Sequence, residues 1–385
     1  MSDSIAILGR QPALGMAELE RLYGAEALQP TQQPEALLLK LSTSEVAFNR
    51  LGGAVKLAKH LATVDGASWP AVIKHLVKNM SEYLSDIPEG KIRFGLSVHG
   101  LRVSPAEINR SALELKKIIK KAGRSVRVVP NTERELSSAQ TLHNQLTGPT
   151  GLELLIVLDG SRVLIGQVTD VQNINAYAAR DQVRPKRDAR VGMLPPKLAQ
   201  IIVNLTGVQP GQTVLDPFCG TGVILQESLL MGLQAIGTDL EARMIEYSQA
   251  NLEWLDRGQA TLDVGDATDY QWSDPFNAIA AETYLGRPFN ALPDPAILKQ
   301  VISDVSLIHK RFLQNVAKQT EPGLALCLAV PAWKTNQGFL HLPTLASLEE
   351  MGYTRMSFVH VGVEDLIYHR PGQIVGRELV VLTRK

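Results

Sequence analysis

Several scarcities narrow the class of this chain before any motif is considered. Only two cysteines, Cys219 and Cys327, occur in 385 residues. That is too few for a disulfide framework, and their spacing fits neither a zinc site nor a CxxC redox pair, so a reducing cytoplasm is expected. The eight histidines show no metal-ligand spacing, and no metal is predicted. No apolar run reaches the roughly 18 residues that a membrane helix requires. The start of the chain lacks the basic flank and apolar stretch of a secretory leader. The expectation is a soluble, cytoplasmic protein. Charge of one sign is also missing: Lys plus Arg and Asp plus Glu each number 39. Affinity for a polyanion therefore has to come from a local patch. Aromatic residues make up only 5%, and there is no internal repeat, low-complexity tract or GxGxxG fingerprint.

What is present suits two domains with sizeable cores, at 45% hydrophobic and 20% charged residues. The first 180 residues mix short strands with amphipathic helices and read as α+β. The clearest elements are strands over 92–98 and 125–129, helices over 105–122 and 137–146, and strands over 152–158 and 163–168. The last two flank Asp159-Gly160-Ser161, a hairpin signal. Polar, helix-breaking residues follow over 181–196, among them Arg190 and Gly192, and mark a boundary. Beyond them the pattern becomes strict alternation: helix 197–206, strand 213–216, helix 222–231, strand 235–239, helix 242–255, then strands near Leu262 and over 278–282. A long helix (295–316), a strand (324–330), a helix (344–351) and strands over 355–361 and 378–382 complete it. Strands alternating with helices predict an α/β doubly wound parallel sheet, closed by a terminal hairpin as its antiparallel edge.

The strongest chemical signal is Val214-Leu215-Asp216-Pro217-Phe218-Cys219-Gly220-Thr221-Gly222, an apolar strand that runs into a tight glycine turn and then a helix. Ligands of open α/β sheets sit outside the carboxyl ends of the strands, where glycine admits close approach. Asp239 ends the next apolar strand, where a carboxylate can accept from both hydroxyls of a ribose. Asp266 ends the third and could take an adenine amine. Either aspartate alone is as readily a helix cap or a turn residue, but with the glycine turn they form a nucleoside site. Asp216 would repel a pyrophosphate at that turn, whereas a sulfonium cofactor avoids the conflict. Cys219 is expected to pack as a small apolar residue.

Asp216, Pro217, Phe218, Gly220, Gly222, Asp239 and Asp266 resemble the cofactor site of class I methyltransferases, and the Asp-Pro-Phe-Cys-Gly-Thr-Gly form is similar to that of nucleic-acid amine methyltransferases. Gly192-Met193-Leu194-Pro195-Pro196-Lys197-Leu198-Ala199 looks like the segment preceding the catalytic domain in THUMP-containing tRNA guanine-N2 methyltransferases. Ile7-Leu8-Gly9-Arg10, Leu51-Gly52-Gly53 and His143-Asn144-Gln145-Leu146 are similar to that family's N-terminal domains, and the stretch from Tyr368 to Glu378 to its final hairpin. The resemblance implies a Rossmann-like catalytic domain over 197–385 after a linker over 181–196. It further implies a ferredoxin-like part over 1–60 and a THUMP-like RNA-binding domain over 61–180. It implies S-adenosylmethionine as cofactor, RNA and in particular tRNA as partner, and methylation of the exocyclic N2 amine of guanine. No obligate protein partner is implied.

One departure from the family is pronounced. Where the family ends its fourth strand with Asp-Pro-Pro-Tyr, this chain reads Glu282-Thr283-Tyr284-Leu285. An exocyclic amine is a poor nucleophile, and a carboxylate, a backbone carbonyl and a stacking ring normally aim it. Glu282 and Tyr284 are the candidates for the carboxylate and the ring. The bland alternative is a solvated strand end at Glu282 with Tyr284 packed inward. An active guanine-N2 enzyme with a variant site is favoured. An enzyme acting on another acceptor, DNA amines included, and a cofactor-binding but inactive RNA-binding protein stay open.

Residues 110–134 carry eight basic against two acidic side chains. Lys116, Lys117, Lys120 and Lys121 fall at helical neighbour spacing, with Arg124 just beyond, so one face could track a phosphate backbone. A solvated helix face is the ordinary explanation of such a run. Beside a nucleic-acid methyltransferase signature it reads as an RNA surface, joined by Arg180, Arg184, Lys186, Arg187 and Arg190 on the linker. The shortage of aromatics favours folded RNA recognised by shape and phosphates. His143 and Asn144 are expected to be structural, while His369 and Arg370 lie before the last strand, where an active-site role is open but has no support in the sequence.

Overall fold

The computed structural model describes residues 3–188, 193–289 and 291–385, so Arg190 and Gly192 lie outside the described residues. The chain forms two compact units: Met1–Pro12, Glu26–Asn49 and Ala54–Ala176 make the first, and Ala13–Ala25, Arg50–Gly53 and Tyr177–Lys385 the second. In chain order the elements up to the boundary are β1 (Ser4–Leu8), α1 (Pro12–Tyr23), β2 (Leu28–Pro30), β3 (Ala36–Leu39), β4 (Ala54–Asp65), α2 (Trp69–Tyr83), β5 (Ile92–His99), α3 (Pro105–Lys121), β6 (Val126–Val128), α4 (Ser138–His143), β7 (Gly151–Asp159), β8 (Arg162–Val171) and α5 (Ile174–Ala178). Helix α1 groups with the second unit.

The first unit is built on one sheet of order β2-β3-β1-β4-β8-β7-β5-β6, with β5 parallel to β6 and β7 and the β7–β8 hairpin antiparallel. The predicted hairpin turn is there, with Gly160 at φ +65° and Arg162 bridging to Asp159 at 2.9 Å. Helix α3 begins where Ser104 and Glu107 form a capping box with Pro105 in the first turn, which satisfies otherwise orphaned amides. Its Ile108, Ala112, Leu115 and Ile119, three or four residues apart, are buried in a core with Phe94, Leu96, Leu154 and Ile156. The opposite face is left polar, as amphipathic spacing requires.

The second unit continues with α6 (Pro196–Thr206), β9 (Thr213–Asp216), α7 (Val223–Leu230), β10 (Gln234–Asp239), α8 (Ala242–Leu255), β11 (Ala260–Val264), β12 (Ala278–Glu282), α9 (Pro295–Gln319), β13 (Ala325–Thr335), β14 (Gly338–Leu340), β15 (Tyr353–Arg355), β16 (Ile367–Tyr368) and β17 (Val375–Arg384). Its sheet has the order β11-β10-β9-β12-β13-β17-β15. Strands β9 to β13 pair in parallel, and β17 is antiparallel to both β13 and β15. This is the doubly wound, Rossmann-like sheet. Chain order reverses beside β9, so a crevice opens at the carboxyl ends of β9 and β12. Among the described residues no helix is long and apolar enough to cross a membrane.

The terminal hairpin does form the antiparallel edge, with β15 outermost and β17 between it and β13, where the run Leu379–Leu382 is buried. Two expectations need correction. The helix expected over 344–351 is only a short 3-10 turn, Pro343–Ser347. The strand expected over 355–361 stops at Arg355, because the amides of Val359 and His360 donate to the Glu20 carboxylate at 2.6 and 3.0 Å instead of to a neighbouring strand.

Candidate active site

The glycine turn joins β9 to α7 and is clamped from two sides. Gly220 (φ +51°) and Gly222 (φ +80°) adopt left-handed backbone, which favours glycine. The Gly220 amide donates to Asp239 at 2.9 Å. From α8, Ser248 donates to the Gly220 carbonyl at 2.8 Å and Asn251 to the Thr221 carbonyl at 2.8 Å. Asn251 also exchanges hydrogen bonds with both backbone groups of Lys186. One buried asparagine thus fastens the segment entering this unit to the turn.

Asp216, Asp239 and Asp266 are among the six carboxylate residues that line a cavity of about 570 Å³ beside this turn. Asp216 is buried and accepts from the Phe218 amide at 3.1 Å. Burial pushes its carboxyl well above the usual range against that amide, with Asp239 and Glu282 adding repulsion. Asp239 accepts from the amides of Gly220 and Glu241, both at 2.9 Å. Each of its oxygens keeps a lone pair for a diol. Burial raises its pKa, and the two amides resist. Asp266 lies two residues past β11 and caps the Thr268 amide at 2.9 Å, so the turn role holds for it while it also lines the cavity. Leu240, 68% exposed, offers an apolar shelf there beside Met244 and Ile224. Phe218 is held edge-on against Phe312 with ring centres 5.0 Å apart. Cys219 is buried, and burial raises its thiol further from ionisation, as expected of a packing residue.

Glu282, Thr283, Tyr284 and Leu285 line the same cavity. Tyr284 is 44% exposed, so it is not packed inward. Glu282 is not a solvated strand end, because its carboxylate is ion-paired with the Nε of Arg377 on β17. Burial raises the Glu282 pKa and Arg377 opposes the rise. Thr283 is locked beneath: its amide donates to the Ala329 carbonyl at 3.1 Å, and its hydroxyl lies 2.6 Å from His309 Nε2. Burial holds His309 down to about 4, so the ring is neutral. Its Nδ1 donates to the Val305 carbonyl at 2.8 Å, leaving Nε2 to accept from Thr283. Arg377 and His309 were not singled out from the sequence. The available signal was a charged Arg377-Glu378 pair inside an otherwise apolar strand, which demands internal partners.

The basic side chains divide. In the first unit Lys117, Lys120 and Lys121 are exposed and Lys116 is half-buried, while Arg124 donates to the carbonyls of Ile87 and Pro88. In the second unit Lys186 and Arg187 are exposed, and Arg180 is bound to Glu227 at 2.6 Å. Arg184 departs from expectation. It is 2% exposed, so in this arrangement its guanidinium cannot meet a phosphate. Among the described residues no group of His, Cys, Asp and Glu could hold a metal.

Residues 184–283 match the family model described as UPF0020, RMKL-like, methyltransferase domain. The matched segment lies within the second unit. Over 140 residues, 36% of this chain and 39% of the relative, the sequence is 33% identical to a tRNA (guanine(10)-N2)-dimethyltransferase of Methanothermobacter thermautotrophicus. Over 136 residues, 34% of this chain and 38% of the relative, it is 35% identical to the enzyme of that name from Pyrococcus abyssi. The chain thus spans under two-fifths of the length of each. The crystal structure of TrmN from Thermus thermophilus matches all of both chains with a TM-score of 0.56 and 16% identity, a likeness of fold. Over those segments the chain is similar in sequence to two enzymes named tRNA (guanine(10)-N2)-dimethyltransferase.

Proposed function

We propose that this protein transfers a methyl group from S-adenosylmethionine to the exocyclic N2 amine of a guanine in tRNA, in the cytoplasm. One observation carries the reading: a carboxylate and an exposed aromatic ring, Glu282 and Tyr284, share a cavity with the paired-amide carboxylate Asp239. The cavity volume falls in the range of small-molecule sites. Its apolar shelf and acidic rim suit a nucleoside bearing a cation and disfavour a phosphate.

In this reading Asp239 accepts from the ribose hydroxyls, Leu240 lies against the adenine ring and Asp266 receives the adenine amine. S-adenosylmethionine supplies an electrophilic methyl: the amine lone pair forms the C–N bond as the C–S bond breaks, with its electrons left on sulfur. Glu282 holds an N–H of the acceptor amine and takes up the proton released, passing it to water. Tyr284 stacks on the base drawn out of its helix, which fixes the approach of the nitrogen. The α3 lysines, in a THUMP-like region over 61–180 that follows a ferredoxin-like part over 1–60, bind the tRNA backbone, and Lys186 and Arg187 of the second unit supply further cations for phosphate contacts. The names of the curated relatives support the substrate.

The test is methyl transfer from labelled S-adenosylmethionine to tRNA stripped of its native modifications, followed by nucleoside mass spectrometry. N2-methylguanosine is the expected product. Label in N6-methyladenosine or in duplex DNA instead, or none in a protein that binds both cofactor and tRNA, would overturn the reading.

A further inference from the structure

The carboxylate assigned to the acceptor does not stand alone, and its partner comes from a strand that is not its neighbour. Glu282 on β12 is in register with Ala329 of β13, and Arg377 on β17 with Pro331 of the same strand. Ala329 and Pro331 are two apart and share a face. The arginine therefore reaches over β13 past the small Ala329 side chain to meet Glu282 Oε1. Its side chain is nearly buried, whereas that of Glu282 is 18% exposed and lines the cavity. The next residue, Glu378, is engaged elsewhere by His341 at 2.6 Å and Arg355 at 2.8 Å.

We propose that Arg377 is a positioning residue that keeps Glu282 in its charged, all-acceptor form and thereby sets the site for guanine rather than adenine. This rests on the methyl-transfer reading above and deepens it. Guanine presents two adjacent donors, N1–H and the N2 amine, and a carboxylate accepts both. Adenine presents the N6 amine beside the bare N1 lone pair, which a carboxylate repels. A protonated Glu, or a Gln, offers one donor and one acceptor and matches adenine instead. The protonation state of a single side chain thus selects the base. A buried polar mismatch of this kind discriminates by orders of magnitude.

The other charged groups around Glu282 do not replace the arginine. Asp216 from β9 is itself an acid and repels it. His309 from α9 is neutral and bound to Thr283. Arg311 is exposed on the cavity rim, and Lys197 of α6 lies over the Tyr177 ring. Tyr284 completes the surroundings, with Asp239 and Asp266 elsewhere on the cavity wall. Removing Arg377 leaves burial and like charges acting on the carboxylate, and all of them favour protonation.

The experiment compares wild type with Arg377→Met, Arg377→Lys and Glu282→Gln, each with its folding checked by circular dichroism. One readout is the ratio of N2-methylguanosine to N6-methyladenosine made on unmodified tRNA from pH 5.5 to 9. The other is a titration of the carboxylic-acid band in the wild-type-minus-Glu282→Gln infrared difference spectrum. Arg377→Met should lose about tenfold or more of its guanine transfer at neutral pH, regain part of it at alkaline pH as Glu282 ionises, and move the infrared titration upward by about a unit or more. Arg377→Lys should keep the wild-type base ratio. Glu282→Gln should shift the ratio toward adenine with no alkaline recovery, and this arm holds even if Arg377→Met does not fold. An unchanged pH profile and infrared titration in Arg377→Met, or an unchanged base ratio in Glu282→Gln, overturns the proposal. A wild type that makes no N2-methylguanosine sinks the functional reading instead, while the infrared titration still decides whether Arg377 holds the charge.

Discussion

Gly222 illustrates how one position ties sequence to chemistry. Its φ of +80° disfavours any L side chain, and a Cβ there would lie 2.9 Å from Ser248 Oγ and 3.2 Å from Ser248 Cβ. Ser248 is the α8 residue that holds the Gly220 carbonyl, so relief of the clash has to move the clamp on the turn. Gly222→Ala is expected to cost about 1–3 kcal/mol of stability and to weaken S-adenosylmethionine binding as well. Thermal unfolding with and without the cofactor checks both, and wild-type values in the two would mean that the turn tolerates the side chain. At the same scale Asp239 and Glu282 differ in kind. The former is oriented by main-chain amides from its own local turn, the latter by a side chain 95 positions away.

Among the secondary elements, α3 carries the proposed RNA contact. Its buried stripe of Ile108, Ala112, Leu115 and Ile119 leaves Lys117, Lys120 and Lys121 outward, two of them in the last turn, where positive charge also complements the helix dipole. Replacing these three by Gln should leave folding intact and lower tRNA affinity. It should also flatten the log–log salt dependence by about two units, as loss of two or three phosphate contacts requires. Equal affinity and slope in the variant would return the lysines to an ordinary solvated face. Strand β17 shows the converse case. Its apolar run was legible, but its place between β13 and β15 depends on pairing that no local pattern encodes.

For the molecule as a whole, buried ionisable groups give stability a pH dependence of definite sign. Burial lifts Glu18 to about 7 despite hydrogen bonds from Asn204, Gly52 and Gly53, and it lifts Glu227 to about 7 despite Arg180. Each takes up a proton in the folded state that the unfolded chain, near 4.5, does not hold, so stability falls as pH rises through that window. His309, held to about 4 and neutral when folded, acts oppositely and costs stability as pH drops below its ordinary 6.5. The sum predicts a stability maximum in mildly acidic buffer and a melting temperature several degrees lower at pH 8 than at pH 6. A flat or rising melting temperature over that range would contradict the sign. The division between what was readable and what was not follows the range of the interactions. Alternating strands and helices, the glycine turn and the aspartates at strand ends are short-range features, dictated by periodicity, backbone freedom and neighbouring amides, and they were visible in the chain. The Arg377 partner of Glu282, the burial of Arg184, the inner position of β17 and the capture of the Val359 and His360 amides by Glu20 are long-range. They arise because buried charges and main-chain groups must find partners wherever the fold brings them.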